Sequence, residues 1–181
     1  MSLSQARLMT ELNPIALILL AFAMVAQPTA KEARDIFSAR RAIERAIVEA
    51  ITPAAMRKHR QRIASHMNNE RKATNDTDRR AIVRELSEFH LLLGEVSGNA
   101  VLSDILANLM VRSSLIVALY QRNDVPSCAS DEHQAIITAL EHGDHEKAVA
   151  VMLEHLEELE NQLALEESAP EAFNLKQALT D

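Results

Sequence analysis

Hydrophobic residues recur every three or four positions along most of this chain, which is the period of an amphipathic α-helix. On the first long segment, Ile36, Ile43 and Ile47 share one helical face. No stretch alternates polar and apolar residues at the spacing of a strand, and no turn sequence typical of a hairpin is present. The pattern therefore predicts an all-α protein.

Turn and cap residues divide this pattern into six helices. Their predicted limits are about 31–51, 53–69, 78–96 and 100–122, then Ser130 to the turn at 142–144, and from that turn to about residue 164. The residues that mark the limits are Thr52, Asn99 and Asp144 as N-caps and Gly98 and Gly143 as terminators. Because the connections are short, we expect an antiparallel bundle of about six helices. The fourth helix carries Leu102, Ile105, Leu109 and Ile116 and is predicted to be central.

Composition and charge restrict the class of protein. The 181 residues are 48% hydrophobic but only 3% aromatic, which suits one helical domain, and Cys128 has no second cysteine to pair with. A single thiol fits a reducing cytoplasm, and we assign it no chemistry. The net charge of −7 argues against nucleic-acid binding by this chain.

The two ends of the chain differ from the rest. Ile15–Ala26 is an apolar run that superficially resembles a secretory signal and is too short to span a membrane as a helix. Glu11 and Pro14 weigh against export, so a cytoplasmic protein is favoured, and packing on the domain or on a partner subunit is the alternative. Residues 1–30 thus form an apolar segment, 31–165 the helical domain, and 166–181 a loosely attached tail with a short helix near Phe173–Leu179.

Three histidines lie on the apolar faces of three different predicted helices. His90, His133 and His155 are each flanked by apolar residues at helical spacing, so their imidazoles should point inward. Each alone is more typical of a hydrogen-bonded core residue. Together they predict a divalent metal site, because one cation satisfies three neutral imidazoles. The remaining histidines, His59, His66, His142 and His145, are expected to be solvent-exposed.

A fourth unusual residue is Arg40, which shares the apolar face of the first helix with Ile36 and Ile47. Glu44 lies one turn further on and is the simple candidate for an ion pair. The alternative is that Arg40 binds a ligand carboxylate or phosphate with its planar guanidinium. Arg112 is a weaker candidate for the same role, and its own sequence context favours a surface position.

The order and spacing of several segments resemble a known family. The matching segments are VAQPT (25–29), EARDIFSARRAIE (32–44), EFH (88–90), SGNAVL (97–102), EHQAIITALEHGD (132–144) and AVAVMLEHLE (148–157). They resemble the FCD ligand-sensing domain of the FadR branch of GntR-type bacterial transcription regulators. The resemblance implies a helical bundle, usually a homodimer, with a central cavity for a metal and a small organic acid. It implies metal ligands at His90, His133 and His155, with zinc or nickel as the expected ion, and a cavity arginine at Arg40.

Two features depart from that family. Metal-binding members carry Asp or Asn one turn before the first histidine, where this chain has Leu86, and Glu85 and Glu88 should point away from His90. Family members also carry a winged-helix DNA-binding domain, for which fewer than 30 residues are available before Thr29. We therefore expect an effector-binding and dimerisation domain without DNA contacts of its own.

Two other functions fit parts of the sequence. Three histidines with an open metal position could build a zinc hydrolase, but no carboxylate is expected on the histidine faces to act as a general base. A metal-free helical scaffold is the second alternative. The presence of Arg40 favours ligand binding over catalysis.

Overall fold

A computed structural model describes residues 28–75, 78–121 and 129–165. They form six helices: α1 (Ala30–Ala50), α2 (Pro53–Thr74), α3 (Arg79–Ser97), α4 (Ala100–Tyr120), α5 (Ala129–Glu141) and α6 (His145–Asn161). Apart from one isolated bridge between Gln121 and Leu163, these residues contain no β structure. The all-α prediction is confirmed.

The helix ends are fixed largely by the cap residues that the sequence indicated. The side chains of Thr52, Asn99 and Asp144 each accept a hydrogen bond from a backbone N–H in the first turn of the following helix. Gly98 and Gly143 have φ of 72° and 73°, which favours glycine. Helix α2, however, continues to Thr74, beyond its predicted end near residue 69, because its polar residues form helix readily and Glu70 is buried.

Consecutive helices pack against each other in three places. Helix α2 packs on α3, α3 on α4, and α5 on α6, so these helices are neighbours as predicted. Helix α2 also packs against α5 rather than along α1, so the expectation of neighbouring helices is wrong for the connection between α1 and α2. Helix α1 packs against α4 and α6.

The prediction of a central α4 is wrong. Only 28% of its most apolar window is buried, and one side of the helix is open. Its large exposed apolar residues are Val101, Ile105, Val111, Leu115 and Leu119. By length and composition α4 could cross a membrane, which is weak evidence because helices of soluble bundles meet the same criteria. An all-round apolar sequence therefore produced a helix with one buried and one uncovered face.

Two apolar clusters make up the interior. On α1, Phe37 belongs to the smaller cluster and Ile47 to the larger one. Arg40 and Glu44 are buried between these positions, and Ser113 occupies the corresponding place on α4. Buried polar side chains therefore lie where the two clusters meet.

The beginning and end of the described chain meet at the end of α4. The Tyr120 hydroxyl donates a hydrogen bond of 2.8 Å to the carbonyl oxygen of Pro28. The Ala164 N–H donates one of 2.8 Å to the carbonyl oxygen of Tyr120. The expectations for Ile15–Ala26, Cys128 and the tail 166–181 fall outside the described residues.

Candidate metal centre and ligand cavity

The three histidines on separate helices come together in the interior. His90 on α3, His133 on α5 and His155 on α6 are each at most 3% exposed, and one nitrogen of each lies within 4.8 Å of the others. Nε2 of His133 is 3.2 Å from Nε2 of His155. Two nitrogens bound to one tetrahedral zinc at its usual distances would be roughly 3.3 Å apart. The spacing of this pair is therefore that of metal ligands.

A carboxylate contacts Nδ1 of every one of these histidines. The pairs are His90 with Glu44 at 2.5 Å, His133 with Glu70 at 2.8 Å, and His155 with Glu132 at 2.6 Å. An ionised carboxylate can only accept, so each Nδ1 carries the proton and donates it. Nε2 of each ring is then left with a lone pair. Carboxylates behind metal-bound histidines orient them and raise their basicity in this way.

The charges around the three rings do not cancel within the protein. Glu44 and Glu70 are buried and contribute two negative charges against the one positive charge of Arg40 while the imidazoles are neutral, and Glu132, whose side chain is 31% exposed, adds a third negative charge that water partly screens. Uncompensated buried charge is strongly unfavourable. A divalent cation between the rings would balance it, so these residues fit a metal ion in both charge and donor type.

The electrostatics hold the site in the protonation state that a metal requires. Burial lowers the pKa of His90 to about 4 and that of His133 to about 3. Burial opposes ionisation of Glu44, but the charge of Arg40 and the contact with His90 prevail and lower its pKa to about 2. Burial likewise opposes ionisation of Glu70, and hydrogen bonding from His133 contributes to a pKa of about 2. At neutral pH the carboxylates are charged and these two imidazoles are neutral.

Two of the three guanidinium nitrogens of Arg40 are hydrogen-bonded to described residues. Its Nε donates to Glu44 Oε1 at 2.7 Å, so the ion pair considered from the sequence is present, and Nη1 donates to Ser113 Oγ at 2.7 Å. Nη2 is buried and has no partner among the described residues. A buried guanidinium nitrogen without an acceptor is unfavourable, which points to an anion from outside the chain.

Arg40 and the three histidines line the same cavity, which has a volume of about 320 Å³. This volume lies at the lower end of the range for ligand pockets, which is roughly 300–1,000 Å³. Leu86 lines the cavity one helical turn before His90, at the position where the family resemblance implied Asp or Asn. The described residues thus provide three nitrogen ligands and an apolar wall beside them.

Arg112, the second candidate for ligand binding, lies elsewhere. Its side chain is 54% exposed and forms an ion pair with Glu32. It is not among the residues that line the cavity with Arg40. The preference for a surface position is confirmed, and the structure does not bring Arg112 to the candidate site.

Two carboxylates that contact the histidines were missed, because the expectation covered only the helical faces of the histidines themselves and these carboxylates come from elsewhere. Glu70 follows Ile63 and Met67 on the buried stripe of α2, but the predicted end of this helix near residue 69 places Glu70 in a connection. Glu132 lies in the first turn of α5, where an acidic residue has the simpler explanation of balancing the helix dipole.

The other histidines are only partly as expected. His142 is exposed as predicted, and His59 is half-buried. The prediction is wrong for His66, whose side chain is 10% exposed, and for His145, whose Nε2 hydrogen-bonds the carbonyl oxygen of Ile51 at 2.6 Å.

The fold and the site define a helical domain in which three histidines and an arginine line one internal cavity. Residues 35–158 match the FCD domain family, and the chain belongs to that family. FCD domains are ligand-sensing regulatory domains of GntR-family transcription regulators. The resemblance seen in the sequence is thereby confirmed. No curated protein and no solved structure matched the chain.

Proposed function

We propose that this domain senses a small organic acid, which binds both to Arg40 and to a divalent metal held by His90, His133 and His155. The observation that carries the proposal is the unpartnered Nη2 of Arg40 in the wall of the cavity that the three histidines also line. A carboxylate has two oxygens and can satisfy a guanidinium and a cation together. Zinc and nickel are the expected ions because all three protein donors are imidazoles.

Different residues would bind the metal, orient its ligands and bind the acid. The three Nε2 atoms would hold the metal, and Glu44, Glu70 and Glu132 orient the rings by accepting from Nδ1. The metal supplies a Lewis-acidic position that attracts anionic oxygen. Leu86 offers no ligand atom, so the remaining coordination positions are left to water or to the acid. Arg40 Nη2 donates to the acid and selects for negative charge.

Signal transmission requires a partner, and a homodimer is proposed. The exposed apolar side of α4, formed by Val101, Ile105, Val111, Leu115 and Leu119, supports a second copy as its occupant. A ligand changes the output only if it binds one arrangement of subunits better than another. The described residues are proposed to act in the cytoplasm and to make no direct nucleic-acid contact.

An enzymatic role is less well supported. Glu132 lines the cavity, but one of its oxygens accepts from His155 Nδ1. Glu44 is bonded to both Arg40 and His90. These carboxylates support the histidines rather than stand free to take a proton from water, so we propose binding without turnover.

The decisive experiment combines elemental analysis with calorimetry. We expect the purified protein to hold zinc or nickel at the three histidines and His133→Gln to contain close to one ion per chain less, whereas the exposed His142→Gln retains the full amount. Small mono-, di- and tricarboxylates are then titrated into the metal-loaded protein. Absence of metal in protein never exposed to chelator would favour the metal-free scaffold, and acid consumption without a bound complex would favour an enzyme.

A further inference from the structure

A second group of metal-binding side chains lies outside the cavity, where α2 packs on α3. His66 on α2 and Glu85 and Glu88 on α3 each offer one ligand atom, and these atoms lie within 4.8 Å of one another. Glu85 and Glu88 are three residues apart and so share one side of their helix. These are the two glutamates that the sequence placed away from His90, and the structure gives them a different neighbour.

His66 is unusual for a histidine near the surface. Its side chain is only 10% exposed, and its Nε2 is buried without a hydrogen-bond partner in the described part of the chain. Glu70 Oε2 lies 3.5 Å from this nitrogen. The ring also stacks on Phe89, with ring centres 6.3 Å apart. The stacking on Phe89 and the long contact with Glu70 therefore hold His66 in place.

The position of Glu70 indicates which nitrogen of His66 is available. Nε2 faces a carboxylate that can only accept, which favours the proton on Nε2 and the lone pair on Nδ1. The other group members, Glu85 and Glu88, are also acceptors when ionised. A lone pair and two carboxylates close together repel one another, and a cation bound between them would remove that repulsion.

Neighbouring cationic side chains do little to neutralise these two carboxylates. Arg84 contacts Glu85 at 3.3 Å, but its side chain is 64% exposed, so the pair is strongly screened by water. Glu88 is exposed and has no ion-pair partner among the described residues. The group thus has two acidic side chains with little compensation beside a fixed imidazole.

We propose that His66, Glu85 and Glu88 form a second divalent-metal site, separate from the cavity. One imidazole with two carboxylates suits zinc or a similar transition-metal ion better than magnesium or calcium, which prefer oxygen ligands alone. Atoms up to 4.8 Å apart must close to roughly 3.3 Å around a zinc ion, and the flexible side chain of Glu88 can make that adjustment.

The proposed second site, called the outer site, lies beside residues that contact His133 of the cavity site, called the inner site. Glu70 Oε2 accepts from His133 Nδ1 at 2.8 Å and lies 3.5 Å from His66 Nε2. Phe89 stacks on both rings, with its centre 3.8 Å from that of His133. Despite this proximity the two sites share no ligand, so each can be removed separately.

The test is a zinc titration of the full chain after chelator and dialysis, followed by equilibrium dialysis and calorimetry. We expect two zinc ions per chain in the unaltered protein. Glu85→Gln/Glu88→Gln should bind only one, and the exposed Glu157→Gln on α6 should still bind two. In a His133→Gln background one zinc should remain, and adding Glu85→Gln/Glu88→Gln should weaken it at least tenfold.

A spectroscopic measurement identifies the ligand independently. In histidine-labelled His133→Gln protein, zinc should shift the ring resonances of His66, assigned by their loss in His66→Gln. Circular dichroism verifies that each variant is folded. Unchanged zinc stoichiometry in Glu85→Gln/Glu88→Gln, or a His66 resonance that does not respond to zinc, overturns the outer site. Loss of the inner zinc alone would contradict the proposed function and leave the outer site standing.

Discussion

Glu44 bonds Arg40 with one carboxylate oxygen and His90 with the other. It therefore joins the group that would bind an anion to a group that would bind a metal. Glu44 is 1% exposed, so its hydrogen bonds to these two neighbours are largely independent of solvent. One side chain thus fixes the position of Arg40 relative to His90.

Replacing Glu44 by Gln should weaken metal binding. The amide keeps the size of the side chain but removes its charge, and its NH₂ group can face His90 Nδ1 and favour a proton on Nε2. Loss of such a supporting carboxylate typically costs about 10–100-fold in metal affinity. Zinc affinity measured by competition with a chelator checks this. Glu49→Gln, which alters the exposed pair with Arg45, should leave the affinity unchanged.

Arg40→Lys should reduce affinity for small carboxylic acids at least tenfold while retaining metal. Lysine keeps the positive charge near Glu44 but lacks the planar group that can serve Glu44, Ser113 and an acid together. Calorimetry on metal-loaded protein measures the change. Arg112→Lys is the matched control and should bind the acid normally. Equal affinities in all three proteins would remove Arg40 from the binding site.

Arg40→Ala should affect folding as well. It leaves the buried Glu44 carboxylate without its cation, and breaking a buried pair in this way typically costs about 3–5 kcal/mol. Arg112→Ala disrupts only an exposed pair, for which a cost of about 1 kcal/mol or less is usual. Urea denaturation of both variants gives the comparison, and similar losses of stability would contradict the buried position of Arg40.

The metal-free protein should become less stable as the pH falls. His90 and His133 have folded-state pKa values of about 4 and 3, below their ordinary value of 6.5. As the pH falls, the unfolded chain binds protons before the folded chain does. The contribution of these histidines to the free energy of unfolding is therefore fully present above pH 6.5 and is lost as the pH falls toward these values. The expected slope is about tenfold in the folding equilibrium per pH unit for each histidine. Below pH 4.5, protonation of Glu44 and Glu70 acts in the same direction.

Urea denaturation in the presence of chelator, repeated between about pH 7.5 and 5, measures this slope. His133→Gln should show a shallower dependence because one titrating group is gone. His142→Gln, at an exposed position, should keep the original slope. A flat profile in the unaltered protein would show that the buried rings do not titrate as described.

A charge on the open side of α4 should separate the proposed dimer. Leu115 is 45% exposed and lies among other exposed apolar residues, so Leu115→Glu should give a monomer by light scattering without loss of helix content. Ala150→Glu, at an exposed position on α6, is the control and should remain dimeric. If Leu115→Glu does not change the mass in solution, the partner surface lies elsewhere.

How far the sequence predicted this protein depends on the range of each interaction. Cap residues act within one turn, so Asn99 and Asp144 located the helix starts well. Helical period placed His90, His133 and His155 on inward faces. It could not reveal which residues of other helices meet them, and so Glu70 and Glu132 were missed.

The error about α4 has a different cause. An apolar helix can be covered by its own chain or by another chain, and its sequence is the same in both cases. Leu106 and Ile116 are fully buried, whereas Val111 on the same helix is 75% exposed. Only the arrangement of the neighbouring helices distinguishes the two sides.

The hydroxyl of Tyr120 fastens the start of the described chain to the last turn of α4, and the next residue, Gln121, borders the cavity. Pro28 is therefore tied to a residue next to the cavity wall. A bound molecule that displaced Gln121 would also move Tyr120 and, through its hydroxyl, Pro28, so occupancy of the cavity is coupled to the position of the first described residue.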